Sequence, residues 1–155
     1  MNRSAYLDAL HLLARRELST AQLRARLADR EHPAEEIDRA IEHLTETGSL
    51  NDGRVARAYA RTAVQIKGRG RHRIQRELQQ MGIARDVVAE AVAETFGDVD
   101  ERGLITKALQ KKLHGARKIS SPADYARVYQ FLMRQGFSPA AVSAVLRRYG
   151  KEERE

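Results

Sequence analysis

The chain has 155 residues, a formal net charge of +7 and no cysteine. The lack of cysteine excludes a disulfide framework, a cysteine zinc site and a thiol nucleophile, and it favours a reducing, cytoplasmic setting. No apolar run approaches the roughly 20 residues that a membrane-spanning helix needs, and the chain does not start with a basic and then apolar signal pattern. We therefore expect a soluble cytoplasmic protein without a membrane partner.

Helix start and stop signals mark almost every boundary along the chain, and no segment alternates with the period of a strand. Nine helices are predicted. Their start signals are Ser4, the capping box of Ser19 and Gln22, Pro33, Asn51, a second box of Asp98 and Glu101, Ser121 with Pro122, and Ser138 with Pro139. Glycines supply most of the stops, at positions 48, 68, 70, 82, 97, 136 and 150.

The apolar pattern repeats three times with a period near 50 residues. Leu23 and Leu27 recur as Ile74 and Leu78 and again as Val128 and Leu132; Ile37, Ala40 and Ile41 recur as Val88, Ala91 and Val92 and again as Val142, Val145 and Leu146. Such a period is typical of tandem supersecondary units that bury a face against their neighbours. We predict an all-α, elongated and curved stack of three-helix repeats over residues 1–50, 51–97 and 98–150, with a frayed tail at 151–155.

Basic charge is concentrated in the second and third repeats. Residues 1–50 have a net charge of −2, residues 51–97 of +4 and residues 98–155 of +5. Eight Lys or Arg and no acid lie between Arg54 and Arg76, and six with no acid lie between Arg102 and Lys118. Such fields favour polyanions or an acidic protein surface, although a solvated helix face rich in arginine is the simpler alternative.

Two basic features stand out within the second repeat. Arg54, Arg57 and Arg61, which we call the basic stripe, have the i, i+3, i+7 spacing of one helix face. They are followed by the basic turn, Lys67-Gly68-Arg69-Gly70-Arg71-His72-Arg73, whose glycines would let its backbone approach a partner closely. Alternatively, those glycines only turn the chain between helices.

The sequence contains no recognisable catalytic or cofactor motif. The glycines of the basic turn have neither a preceding strand nor a following Gly-Lys-Ser/Thr, so a phosphate-binding loop and a dinucleotide fingerprint are both excluded. The five histidines have no recognised zinc spacing, and there is no Gly-x-Ser-x-Gly elbow. We expect no enzyme activity, no cofactor and no metal.

Several segments together resemble the RecX family of regulators of the RecA recombinase. The resemblance rests on residues 50–59 (LNDGRVARAY), on Lys67-Gly68-Arg69-Gly70 and on residues 73–83 (RIQRELQQMGI). Residues 131–137 (FLMRQGF) and 19–27 look like the closing and opening patterns of that family. The likeness extends from about Leu10 to Tyr149, and it departs at Met81, where the family commonly has a basic residue.

The resemblance implies a non-enzymatic modulator that lies in the helical groove of the RecA filament on single-stranded DNA. Occupying that groove would hinder filament growth, strand exchange, ATP turnover and the co-protease function that triggers the SOS response. The expected partners are the RecA filament and single-stranded DNA, with double-stranded DNA as a further candidate, and the chain itself is expected to be a monomer.

We expect the filament or DNA to be contacted by two groups of cations. The first comprises Arg54, Arg57, Arg61, Lys67, Arg69, Arg71, Arg73 and Arg76; the second comprises Lys107, Lys111, Lys112, Arg117 and Lys118. Charge there would increase the association rate and make binding sensitive to salt. An alternative function is an autonomous DNA-binding helical module, although no helix concentrates Arg, Asn and Gln at its start in a dimerising context, as a sequence-reading helix does.

Overall fold

In a computed structural model the chain is entirely helical over the residues that the structure describes, 3–113 and 118–152, with side chains described as far as Gly150. The nine helices of this part are α1 (Ala5–Arg15), α2 (Thr20–Asp29), α3 (Ala34–Glu46), α4 (Asp52–Gln65), α5 (Arg71–Gln80), α6 (Arg85–Phe96), α7 (Glu101–Leu113), α8 (Pro122–Arg134) and α9 (Pro139–Glu152). None of them is long and apolar enough to cross a membrane. The all-α prediction is confirmed.

Most of the predicted caps form. Ser19 and Gln22 make the reciprocal capping box of α2, the Asn51 side chain accepts a hydrogen bond from the Arg54 amide at 3.0 Å, and Ser121 caps α8. These side chains satisfy amides that have no partner within the first turn of a helix.

The predicted box of Asp98 and Glu101 is wrong. Helix α7 begins at Glu101 itself, and the Leu104 amide donates to the carbonyl of Asp100. The Glu101 carboxylate instead accepts a hydrogen bond from the Ser138 amide at 3.0 Å. A long-range partner therefore replaces the local one that the spacing indicated.

The repeating apolar positions form the cores. Every member of the register is buried except Val145, which is half-buried. One cluster gathers Leu23, Leu27, Ile37 and Ile41 with residues of α1, and another gathers Val128, Leu132, Val142 and Leu146 with residues of α7 around Phe137. The periodicity was therefore a reliable guide to burial.

The chain divides into two compact units that do not follow the repeat boundaries. One consists of Met1–Tyr59 and Glu77–Ala91, and the other of Ala60–Arg76 and Val92–Glu155. Residues of the second repeat contribute to both units, so the limits 1–50, 51–97 and 98–150 remain predictions.

Within the first unit, the start of α2 contacts the turn between α5 and α6. The Ser19 hydroxyl donates to the carbonyl of Met81 at 2.5 Å, and Ser19 is completely buried. Gly82 takes φ +77°, and a Cβ there would overlap the Cβ of Ala21. We call this contact the first repeat joint. Met81 takes part in it through its backbone carbonyl.

The second unit contains the same kind of contact one repeat later. The amide of Gly70 donates to the carbonyl of Gln135 at 2.8 Å, and the amide of His72 donates to that of Gly136 at 3.0 Å. A Cβ at Gly70 would lie 2.5 Å from the Gly136 carbonyl carbon, and one at Gly136, which has φ +97°, would overlap the backbone of Arg73. This second repeat joint therefore requires glycine on both sides.

The corresponding turn of the first repeat keeps its shape without a glycine. Glu31 has φ +64°, and the His32 amide donates to the carbonyl of Leu27 as in the other two turns. The His32 ring lies 2.6 Å from the Asp8 carboxylate, and this hydrogen bond is the main cause that holds the pKa of Asp8 below its usual value. Contacts with α1 thus replace the missing glycine stop.

The second repeat joint predicts different costs for two glycine substitutions. Gly48 also has a positive φ, but no atom lies within 4 Å of a Cβ placed there. Gly48→Ala should cost about 1 kcal/mol through backbone strain alone, whereas Gly136→Ala should cost at least about twice as much because its Cβ also overlaps Arg73. Urea unfolding of both variants measures the difference, and equal midpoints would contradict the joint.

The strained turn predicts a stabilising substitution. Glu31→Gly removes the strain of holding a glutamate in the left-handed conformation, but it also makes the unfolded chain more flexible. The net effect should be an increase of about 0.5–1 kcal/mol in the free energy of unfolding. The urea midpoint should rise with an unchanged slope. Asp29→Gly, within α2, is the control and should lower the midpoint because glycine weakens a helix.

Candidate binding surface

The basic stripe lies on α4, and its first member is used inside the fold. The Arg54 guanidinium donates to the Glu17 carboxylate at 2.6 Å and to the carbonyls of Gly48 and Ser49 at 2.8 and 3.2 Å. Through these hydrogen bonds, one side chain connects the segment before α2, which contains Glu17, to the segment before α4, which contains Gly48 and Ser49. The internal contacts occupy most of the donors that Arg54 could offer a partner.

The other two members of the stripe differ in exposure. Arg57 is half-buried, and its Nη1 lies 3.2 Å from the place that a Cβ on Gly53 would occupy. Arg61 is exposed. Helical spacing places both on one side of α4, so the stripe offers its charge mainly through Arg61 and, in part, Arg57.

The two glycines of the basic turn differ in how closely they are packed. Gly68 has φ +62° and open space around it, whereas Gly70 is packed against the Gln135–Phe137 turn. The interpretation that both glycines allow an outside partner to approach is therefore wrong for Gly70, whose neighbour is the chain itself. Helix α5 begins at Arg71, so the second half of the basic turn is its first turn.

The remaining cations of this region point mostly into solvent. Lys67, Arg71 and Arg76 are exposed, while Arg69 and Arg73 are half-buried. The Arg71 guanidinium carbon lies 5.2 Å from the centre of the buried Phe96 ring, a cation–π contact that fixes its position while its charge remains accessible.

The second group of cations lies on α7 and in the segment that precedes α8. Lys107, Lys111, Lys112 and Lys118 are exposed, and the Lys112 ammonium lies 4.9 Å from the centre of the Phe131 ring. Arg117, like residues 114–116, falls outside the described residues.

A cavity of about 500 Å³ lies beside these lysines. Lys112, Lys118, Ser120, Asp124 and Arg127 provide its polar lining. Hydrogen bonds from Ser120 at 3.0 Å and Arg127 at 2.5 Å lower the pKa of Asp124. Arg127 is not among the contact residues predicted above, although Asp124 and Arg127 have the i, i+3 spacing of a helical ion pair.

Two tyrosines of α8 stack on each other. The rings of Tyr125 and Tyr129 lie 6.4 Å apart and within 15° of parallel, and Tyr125 is 41% exposed. An exposed aromatic ring can stack with a nucleic-acid base.

A larger cavity, of about 1010 Å³, lies between the start of α1 and α3. Its lining mixes Arg3, Arg30 and Arg39 with Asp8, Glu31 and Glu36, so it has no preference for one sign of charge. Among the described residues, no three His, Asp or Glu side chains are placed to hold a metal ion.

These features define a helical-repeat protein with a cationic surface in its second and third repeats. Family models for the first, second and third three-helix domains of RecX match residues 5–44, 51–92 and 100–146. The chain belongs to the RecX family.

Individual relatives agree with the family models. The chain is 35% identical over 136 residues to the regulatory protein RecX of Halorhodospira halophila, covering 88% of this chain and 82% of that one. It is 31% identical to the longer regulatory protein RecX of Geobacillus kaustophilus, which covers 99% of this chain, while this chain spans 58% of that one. The crystal structure of RecX from Lactobacillus salivarius has the same fold, with a TM-score of 0.82, 19% identity and 94% coverage of both chains.

The contacts of Arg54 predict that it stabilises the fold more than Arg61 does. Arg54→Ala removes three hydrogen bonds that are all accessible to water and should cost about 1 kcal/mol, whereas the exposed Arg61→Ala, which breaks none of them, should stay within about 0.5 kcal/mol of the parent. Urea unfolding of both variants measures the difference. Equal stabilities would mean that the Arg54 contacts contribute nothing to the fold.

Proposed function

We propose that this chain is a negative modulator of the RecA recombinase that binds in the groove of the RecA filament on single-stranded DNA. By occupying the groove it hinders filament extension, ATP turnover, strand exchange and co-protease activity. The chain acts by binding and has no chemistry of its own.

The proposal rests first on family membership. The matched relatives are named as regulatory proteins, and the family models together cover most of the chain. A modulator that works by occupancy needs an extended binding surface, and the exposed cations of the second and third repeats provide one.

The observation that carries the proposal is the run of residues 54–76, which contains eight cations and no acid. Arg61, Lys67, Arg71 and Arg76 leave their charged ends exposed. A groove that contains DNA and acidic protein side chains would attract such a surface, and attraction of this kind increases the association rate more than it increases affinity.

The two groups of cations contribute unequally in this proposal. The principal contact is formed by the cations of α4, the basic turn and α5: Arg57, Arg61, Lys67, Arg69, Arg71, Arg73 and Arg76. The second contact is formed by Lys107, Lys111, Lys112 and Lys118. Arg54 supports the first group from within the fold because its guanidinium is engaged there. Arg117 belongs to the second group by its place in the sequence.

One observation favours a second candidate, an autonomous DNA-binding module. The third repeat has an exposed ring on α8, Tyr125, that could stack with a base. It also has a cavity whose lining of Lys112, Lys118 and Arg127 could bind phosphate. DNA affinity would then arise from the third repeat, and it would show a steep dependence on salt.

Charge reversal tests the principal contact. Arg61→Glu, Lys67→Glu and Arg76→Glu alter three exposed side chains and take the net charge from +7 to +1. The triple variant should lose at least about tenfold in its inhibition of RecA ATPase activity on single-stranded DNA, because repulsion replaces attraction at the contact. Its far-ultraviolet circular dichroism should match that of the parent.

A matched control changes the same total charge elsewhere. Arg15→Glu, Arg16→Glu and Arg26→Glu replace three exposed arginines of the first repeat and should leave inhibition within about threefold of the parent, a margin that allows for the changed net charge. The parent should inhibit below the concentration that coats the DNA. Inhibition only at saturation of the DNA would favour the autonomous module, and full inhibition by the first triple variant would contradict the assigned surface.

A further inference from the structure

An isoleucine side chain is exposed at the edge of the basic turn. Ile66 follows directly after α4 and is 76% exposed, compared with 49% for Leu7, 41% for Tyr125 and 36% for Tyr6, the other large apolar side chains exposed in the described part of the chain. Single apolar side chains are common on protein surfaces, but Ile66 is the most exposed of these four and lies next to the exposed Lys67.

The backbone around Ile66 is firmly held. Its amide donates to the carbonyl of Thr62 at 2.9 Å, and the amides of Gly68 and Arg69 donate to the carbonyls of Val64 and Ala63 at 3.2 and 3.0 Å. Val64 and Ala63 are themselves buried. Because isoleucine is branched at Cβ and has few rotamers, the side chain is presented in a nearly fixed direction.

The surroundings of Ile66 are open and cationic. No atom lies within 4 Å of a Cβ placed at Gly68, two residues further on, and Lys67 between them is exposed. Every charged residue from Arg54 to Arg76 is positive. Protein interfaces commonly place apolar side chains at a buried centre and polar or charged side chains around them.

We propose that Ile66 is the apolar anchor of this surface and inserts into an apolar pocket with an acidic rim on a protein partner. The inference rests on the proposed function, and in that setting the partner is the protein of the filament. Lys67 pairs with the acidic rim, while burial of Ile66 supplies affinity that salt does not screen.

The chemistry of the turn favours a protein pocket over a nucleic-acid base. Stacking on single-stranded bases is carried by aromatic rings or arginine planes. Residues 64–70 contain no aromatic residue, and their one arginine, Arg69, is half-buried. A branched aliphatic side chain has no face to stack with, and it gains most from complete removal from water in a fitted pocket.

The test compares Ile66→Ser with Leu7→Ser, which replaces an exposed aliphatic side chain on α1. Ile66→Ser should raise the concentration for half-inhibition of RecA ATPase by about tenfold, the effect of losing one well-buried aliphatic contact. Affinity for single-stranded DNA alone and the slope of inhibition against salt should be unchanged, since no charge is altered. Leu7→Ser should inhibit like the parent, and urea unfolding shows whether each variant is folded.

The outcomes separate the anchor from the proposed function. Inhibition by the parent and equal inhibition by Ile66→Ser would overturn the anchor and leave the proposed function standing. A parallel loss of affinity for DNA alone would overturn the protein pocket and assign Ile66 to a nucleic-acid contact. A parent that leaves RecA ATPase unaffected would overturn the proposed function, and the anchor with it.

Discussion

The contact on which the structure most depends is the repeat joint. In each unit, the start of the second helix of one repeat meets the left-handed turn of the following repeat, through Ser19 and Met81 in one case and Gly70 and Gln135 in the other. The turn offers carbonyls that a helix cannot satisfy after its last residue, and the helix start offers donors. A three-helix repeat of about 50 residues buries too little surface to be stable alone, so such joints supply what the isolated repeat lacks.

The arginines of the second repeat are used in two different ways. Arg54 binds carbonyls before α4, and Arg73 lies with its backbone against Gly136. Neighbouring cations such as Arg61 and Lys67 have no such geometry and stay exposed. One basic segment therefore contains residues that hold the fold and residues that face solvent, and composition alone treats them alike.

Sequence reasoning predicted the helices, most caps and the buried register because these depend on local spacing. It failed where the deciding partner is distant in the chain. Glu101 caps nothing locally because it binds the amide of Ser138, and Gly70 is required by a turn 66 residues away. The exposure of Ile66 was equally hidden, since an isoleucine near the end of an apolar helix pattern is normally expected to be buried.

The basic turn shows how a structural joint can prepare a binding surface. Gly70 is closed against the Gln135–Phe137 turn, while Gly68, two residues earlier, is open. The hydrogen bonds that close the end of α4 and those of the joint fix the backbone on both sides of Lys67 and Arg69. A partner would then bind side chains whose backbone is already ordered. The entropy lost in ordering the basic turn would therefore reduce the stability of the fold and not the affinity for the partner. This is the physical reason why glycines that look like flexible linkers in the sequence can make the surface between them more rigid.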